Sequence, residues 1–386
     1  MNDLFWKRKI AELNIAVNTR FLLKNKLEGI GWFTYETMQR ITRNHPEHQF
    51  FFFFDRKFED EFVFSKNVTP LVLHPQSRHP LLWYWWFEHA VPAALKKVKA
   101  DLFISTDGFL SLNTDVKTLL VIHDIAFEHF PEHVGMLTRK YLQHYSSLFA
   151  KHANRIATVS EFSKQDIMRM YGIAANKIDV TGNGSREIYH PKTPVEISSA
   201  KNKFGIKGEY FIYAGAIQPR KNLANIFKAF DSFKHKNPGN TQLVIAGRKA
   251  WKFKEALEVY ESMQHKADVL FTGHLSSEDL AALMGGALAL VYVSLFEGFG
   301  IPIIEAMHCG TPVITSDVSS MPEVAGDAAL QVNPESVNEI AEAMRKISED
   351  GQLRKSLSVK GNIQKQNFSW DKTAELLWQS AGKIMQ

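Results

Sequence analysis

Cysteine is almost absent from this sequence, and Cys309 stands alone. One thiol closes no internal disulfide and has no second thiolate with which to bind zinc, so a disulfide-stapled secreted class is excluded and a reducing cytoplasm is the expected compartment. Long apolar runs are missing too. The densest, residues 81–87 (LLWYWWF), is far short of the roughly 20 residues that a membrane-crossing helix needs. The opening MNDLFWKRKI has neither the apolar core nor the small-residue cleavage site of a secretory leader. No period of 20–50 residues recurs, which removes solenoids and propellers. There is no Asp-x-Asp pair and no His/Asp/Glu cluster with ligand spacing, so no metal is expected.

What is present is ordinary globular material. The 386 residues correspond to two domains at the usual size of about 150 residues each, and 45% hydrophobic with 23% charged residues supplies sizeable cores. The unusual entry is aromatic content, 12% with 28 phenylalanines. Net charge is +5, unevenly placed: 24 basic and 20 acidic residues up to residue 190, against 22 and 21 beyond it. A basic, aromatic-rich first half fits an anionic partner surface such as a membrane or a phosphorylated acceptor, and fits an ordinary basic surface equally well. No dense Lys/Arg block accompanies the charge, so no nucleic-acid partner is expected.

Short apolar runs alternate with longer amphipathic stretches throughout, the pattern of strand and helix units around parallel sheets. Strands are expected at 14–17, 50–54, 68–73, 101–105, 118–122 and 155–159, with helices over 32–42 and 137–151 and another opening at Ser160 as N-cap. The stretch from Thr181 to about Lys203, with Gly182-Asn183-Gly184, Pro191 and Pro194, reads as the linker. The alternation then restarts, with strands at 210–214, 242–246, 269–271, 287–292 and 312–315. Helices are expected at 223–234, 253–264, 277–284, after Pro302, and at 337–348. The fold class is therefore α/β, with two Rossmann-like, doubly wound domains: residues 1–190 and 191–369, followed by an amphipathic helix over about 370–386.

In doubly wound sheets ligands bind beyond the carboxyl ends of the strands. The loop after 210–214 reads Gly215-Ala216-Ile217-Gln218-Pro219-Arg220-Lys221-Asn222. Two adjacent cations before a helix suit a diphosphate, and by themselves they also fit a solvated loop. A second loop reads Glu297-Gly298-Phe299-Gly300-Ile301-Pro302, with Glu305 one turn into the next helix. Two acids so spaced can enter one cleft and accept hydrogen bonds from sugar hydroxyls. They can equally cap and solvate a surface.

Residues 291–334, VYVSLFEGFGIPIIEAMHCGTPVITSDVSSMPEVAGDAALQVNP, closely resemble the donor-binding segment of family 4 of the retaining glycosyltransferases, enzymes of GT-B fold. Glu297 and Glu305 match that family's Glu-x7-Glu motif. The likeness extends to Pro219-Arg220-Lys221-Asn222, Phe271-Thr272-Gly273, and Pro322-Glu323-Val324 with Gly326. In the first half it extends to Gly29-Ile30-Gly31, His123-Asp124, Thr158-Val159-Ser160 with Ser163, and Asn183-Gly184. It covers nearly the whole chain and is weakest over about 50–100.

The resemblance implies a nucleotide-diphosphate sugar as donor, GDP- or UDP-linked, and a saccharide or lipid-linked saccharide as acceptor. It implies that Glu305 holds the ribose and Glu297 contacts the transferred sugar. Lys221 and Arg220 would bind the diphosphate with the backbone around Gly298, Phe299 and Gly300 and the loop at Gly215. The stretch Gly273 to Leu275 would line the base. His123 would lie near the transferred sugar and the acceptor, Gly31 would join the donor-binding residues, and Asp124 would shape the loop. The terminal helix would cross back to the first domain. Three positions depart from the family pattern: Ala216 where many relatives have Arg, Asn18 where they often have Asp, and Trp32 where they often have Arg.

The expected activity is therefore retaining, metal-independent hexosyl transfer without a cofactor. The Gly-Ile-Gly and Pro-Arg-Lys-Asn motifs resemble mannosyltransferase-type members that build surface polysaccharides. The expected location is cytoplasmic, with peripheral contact to the anionic inner face of the membrane. Residues 78–92 (RHPLLWYWWFEHAVP) are open between core packing and a lipid- or acceptor-facing surface. The alternatives are a sugar-nucleotide epimerase of similar architecture and a sugar-nucleotide-binding partner without turnover. A dinucleotide dehydrogenase is disfavoured, because no Gly-x-Gly-x-x-Gly turn follows an expected strand.

Overall fold

The computed structural model describes residues 12–248 and 254–385. The leader-like question at the first ten residues and the start of the helix expected from 253 lie outside them. Among the described residues thirteen short strands form two sheets, parallel throughout. In the first, β1 (Asn14–Asn18), β2 (Gln49–Phe54), β3 (Val68–Val72), β4 (Leu102–Ser105), β5 (Lys117–Ile122), β6 (Arg155–Thr158) and β7 (Ile178–Val180) take the order β3-β2-β1-β4-β5-β6-β7. In the second, β8 (Tyr210–Ala214), β9 (Gln242–Ala246), β10 (Val269–Gly273), β11 (Ala289–Tyr292), β12 (Val313–Ser316) and β13 (Ala329–Val332) take the order β10-β9-β8-β11-β12-β13.

Strands covered on both faces by helices must be apolar on both faces. Ile15, Ala16 and Val17 of β1, and Tyr210 to Ala214 of β8, are accordingly buried without alternation. Strand order reverses at β1/β4 and at β8/β11. A crevice opens at the carboxyl ends of the strands at each such point, so the loops after β1, β4, β5, β8 and β11 are the ones positioned to hold a ligand.

The helix Trp370–Met385 returns from the end of the second unit to the first sheet, packing on the helix Gly29–Asn44 and on β5, β6 and β7. Lys117 Nζ donates to the Ile384 carbonyl at 2.8 Å, Ser380 Oγ to Asp179 at 2.7 Å, and Arg40 Nε to Asp371 at 2.6 Å. Gly184 lies directly beneath the start of this helix: a Cβ there would stand 2.3 Å from the Trp370 backbone nitrogen.

Three expectations change. The linker read over Thr181 to Lys203 ends sooner, because Pro194–Phe204 is a helix. Pro194 is its first residue, and Thr193 and Glu196 form a reciprocal capping box at its start. The aromatic stretch 78–92 is divided between two environments. It coils into the helix Pro80–Trp85 and a following turn, with Trp86, Phe87 and Val91 in the core and Leu81, Tyr84 and Trp85 exposed. β7, β13 and the helices Val91–Lys97 and Gly351–Gln364 were not anticipated; β7 has only three residues, and β13 is only partly buried and has no apolar run to announce it. Cys309 is buried, which pushes its thiol up to about 12, so it is an inert packing group.

Replacing Gly184 by alanine forces the Trp370 backbone away from the first sheet. We expect a loss of about 1–3 kcal/mol in denaturant unfolding, the usual cost of overpacking.

Candidate active site

Three predicted residues converge at the second switch point. Arg220 and Lys221 lie in the short turn Pro219–Lys221 after β8, and Glu297 lies in the loop after β11. Neighbouring parallel strands end side by side, which brings residues 76 positions apart into contact. Arg220 Nη1 stands 2.7 Å from Glu297 Oε1 and donates to the Phe296 carbonyl at 2.6 Å. Lys221 Nζ bonds the same carboxylate oxygen and donates to Tyr292 Oη at 2.6 Å. The turn is fixed by Asn222, whose left-handed φ of 64° ends it, and whose side-chain amide donates to the Val293 and Pro334 carbonyls at 3.0 and 2.7 Å.

The cluster is almost completely buried, so its charges act on one another strongly. Burial alone would raise the Glu297 carboxyl; the Arg220 and Lys221 cations outweigh it and hold that carboxyl down at about 2. Burial, helped by the neighbouring guanidinium, pulls Lys221 down to about 8 against the attraction of Glu297. Arg220 is buried too, but beside Glu297 and Asp124 its pKa is raised. Two cations thus share one carboxylate, and the surplus positive charge suits an incoming anion.

Glu305, on the helix Ile301–His308, is also buried, but its neighbours differ. Arg186 Nη2 is 3.7 Å from its Oε1, and Tyr189 is its other polar neighbour. Burial leads here, and the carboxyl is raised. Gly300, at φ 102°, turns the chain into this helix, and Phe299 is buried edge-on to Phe368 at 5.5 Å. Gly215, at the end of β8, is approached so closely by Gly247 that a Cβ on the latter would stand 1.8 Å from its carbonyl oxygen. Gly273 closes β10 at φ 72°. Leu275 follows, half-buried, just before the helix Ser277–Gly285.

The first half supplies His123, at the end of β5. Its Nε2 lies 2.9 Å from the Thr106 carbonyl. A carbonyl only accepts, so Nε2 carries the proton, and burial, which lowers the pKa, favours this neutral ring with a lone pair on Nδ1. Asp124 accepts from the Ala126 amide at 3.0 Å and shapes the loop. Gly298 meets this loop from the other half: a Cβ on it would stand 2.2 Å from the His123 carbonyl oxygen. Ser160 Oγ donates to the Gly298 carbonyl at 2.6 Å and caps its own helix by accepting from the Ser163 amide at 3.0 Å. Glu323 accepts from the Glu161 and Phe162 amides at 2.9 and 3.1 Å, so an acid of the second unit caps a helix of the first. Gly31, by contrast, packs within its own half: a Cβ there would stand 2.8 Å from the Phe21 carbonyl oxygen. Asn18 is buried and donates to Ser105 Oγ at 3.0 Å.

Four contributors were not singled out from the sequence. Tyr292 is hidden inside an apolar strand, and Phe296 inside a loop. Arg186 and Tyr189 fall in the stretch read as linker. Phe296 sets its ring among three first-half rings, 4.9 Å from His129, 5.4 Å from Phe162 and 6.1 Å from Phe130, which anchors the loop carrying Glu297.

The carboxyl-terminal unit matches the family model for glycosyl transferases group 1 over residues 195–364, and the amino-terminal unit matches that for glycosyltransferase family 4 over residues 27–185. The chain is 27% identical over 360 residues to O-antigen chain mannosyltransferase B of Escherichia coli, which covers 90% of this chain and 94% of that relative. It is 29% identical over 286 residues to O-antigen chain mannosyltransferase RfbU of Salmonella typhimurium, covering 73% and 75%. The fold matches that of a sucrose-phosphate synthase from Thermosynechococcus elongatus with a TM-score of 0.78 at 17% identity, over 97% of this chain and 99% of that one. The two units, which meet where Gly298 of the second packs on the His123 carbonyl of the first, have the GT-B architecture, and the chain belongs to the family 4, group 1 glycosyltransferases, enzymes that transfer a hexose from a nucleotide-sugar donor to a saccharide acceptor.

Proposed function

We propose that the enzyme transfers mannose from a nucleotide-diphosphate sugar to a saccharide or lipid-linked saccharide acceptor in surface polysaccharide synthesis, with retention of configuration and without a metal. The observation that carries this reading is the paired cation site, Arg220 and Lys221 sharing the single carboxylate of Glu297. The mannosyl donor and the polysaccharide setting come from the two O-antigen mannosyltransferases that the chain resembles over most of its length.

Cleaving a glycosyl diphosphate puts negative charge on the departing phosphate. Arg220 and Lys221 neutralise it from fixed positions, and removing one such preorganised donor typically costs about 3 kcal/mol of barrier, roughly 10² in rate. As the diphosphate takes the cations, Glu297 is freed to accept hydrogen bonds from hydroxyls of the sugar. Glu305 accepts from the ribose. The His123 Nδ1 lone pair accepts from a sugar hydroxyl on the opposite wall, and the acceptor attacks from the leaving-group face. Among the described residues no three His, Cys, Asp or Glu side chains gather as metal ligands, so the cations are the groups that this chain itself offers to the leaving diphosphate. Residues 1–190 then chiefly serve the acceptor and 191–369 the donor, with the terminal helix belonging to the former.

We also assign a membrane-facing surface to the first half, at the cytoplasmic face. Leu81, Tyr84 and Trp85 are 71%, 40% and 56% exposed on one helix, and Met136 and Leu137 are 64% and 57% exposed at the start of another. The two helices are joined by Trp83 and Tyr141 with ring centroids 5.4 Å apart, and the helix Met136–His152 carries Arg139, Lys140 and Lys151 with no acid. No helix among the described residues is long and apolar enough to cross a membrane, so the contact is peripheral.

Calorimetric titration tests the site: Glu305→Ala and Lys221→Ala should weaken GDP or UDP binding, and Glu297→Ala should lower kcat more than affinity. Unchanged binding in all three variants would remove the assignment. An epimerase would convert the donor with no acceptor present, and a binding protein would neither hydrolyse nor transfer it. In liposome flotation the protein should float with anionic vesicles at low salt and be released by high salt; absence from the floated fraction at low salt contradicts the membrane surface.

A further inference from the structure

Arg186 lies in the loop after β7, on the path between the two units, where no role was expected. Its guanidinium carbon is 4.2 Å from the centre of the Trp32 ring, on the first-half helix Gly29–Asn44, and 5.1 Å from that of Tyr189. Nη1 donates to Ser277 Oγ at 2.7 Å and Nη2 to Tyr189 Oη at 2.9 Å. Nη2 is also the group that faces Glu305 at 3.7 Å. Aromatic faces hold the plane and two hydrogen bonds fix its rotation, which removes the freedom that makes most ion pairs weak. Ser277 opens the helix that follows Gly273 to Leu275. Arg186 therefore stands where the elements of the donor site meet a side chain of the acceptor half.

We propose that Arg186, stacked on Trp32, is a positioning residue that holds Glu305 aimed and charge-compensated for the ribose of the donor, so that the first half of the chain completes the donor site. The proposal rests on Glu305 being the ribose acceptor. A carboxylate receives both ribose hydroxyls as an acceptor; once protonated, it sets a donor against donors. Burial pushes Glu305 toward the protonated form, and Arg186 and Tyr189 oppose that. The other titratable group facing it is the buried Cys309 thiol at the end of its own helix, which stays neutral. Arg186 is thus the one full positive charge acting on Glu305 among these groups. Taking that charge away leaves burial unopposed by a cation and moves the loss of ribose binding to higher pH.

GDP and UDP are titrated by calorimetry between pH 5.5 and 9 into the wild type, Arg186→Ala, Arg186→Lys and Glu305→Gln. Each variant is compared with the wild type at the same pH, so ionisation of the diphosphate cancels. Arg186→Ala should bind more weakly than the wild type at the acid end of the range, a one-unit rise at Glu305 setting a limit of about tenfold, and the deficit should close toward pH 9; Arg186→Lys should restore much of the wild-type profile. Should Arg186→Ala fail to fold in thermal unfolding, Arg186→Gln, which keeps hydrogen-bond donors without charge, is read the same way. Affinity equal to wild type, or reduced by one factor at every pH, overturns the proposal. Unchanged affinity in Glu305→Gln overturns instead the ribose reading on which it rests.

Discussion

Two buried cations against one buried carboxylate is the constraint on which the site depends. An uncompensated charge at that depth would cost several kcal/mol, so Arg220, Lys221 and Glu297 must remain together in the unliganded enzyme. Everything around them serves to keep them there. β8 and β11 end side by side because the strand order reverses between them, Asn222 locks the turn that carries the cations, and Tyr292 offers its hydroxyl to Lys221 from within the strand. On the proposed reading, an anion that takes over the two cations leaves the Glu297 carboxylate free to accept other hydrogen bonds.

The glycine loop that carries Glu297 belongs to the second unit and is seated in the first. Gly298 fits against the His123 carbonyl with no room for a side chain, Ser160 and Ser163 donate to its own carbonyl at 2.6 and 3.2 Å, and Phe296 enters a first-half aromatic group. Glu323 adds a helix cap across the same boundary. Separating the two units would therefore remove the contacts on either side of Glu297, at Phe296 and at Gly298, while leaving its pairing with Arg220 and Lys221 inside the second unit. Arg186 on Trp32 makes a comparable connection at Glu305, some turns of chain away.

Much of this was legible before the structure. Parallel strands buried on both faces announce themselves as short apolar runs, and β9 lies at the expected residues, 242–246. The loops after them could be found by position, and the acids and cations in them by chemical type. Partner choice was less accessible. Nothing in the sequence says that Lys221 meets Tyr292, since a tyrosine in an apolar strand reads as core. Arg186 was hidden because turn residues around it mark a linker, and its role depends on Trp32, more than 150 residues earlier. Pro194 misled for a local reason: proline punctuates loops and also opens helices, and only the Thr193–Glu196 box distinguishes the two. The aromatic stretch resisted reading because one segment contains both core rings and exposed ones.

The exchange of an internal carboxylate for a diphosphate is the centre of the account, and pyrophosphate tests it without assuming which base or sugar the donor carries. The measurement is the rise in thermal unfolding temperature with added pyrophosphate for the wild type, Glu297→Gln and Lys221→Met. Glu297→Gln, with both cations uncompensated, should start less stable and gain more from the anion than the wild type, while Lys221→Met should gain least. An equal gain in all three, or none in any, would contradict the claim that Arg220 and Lys221 form the diphosphate site.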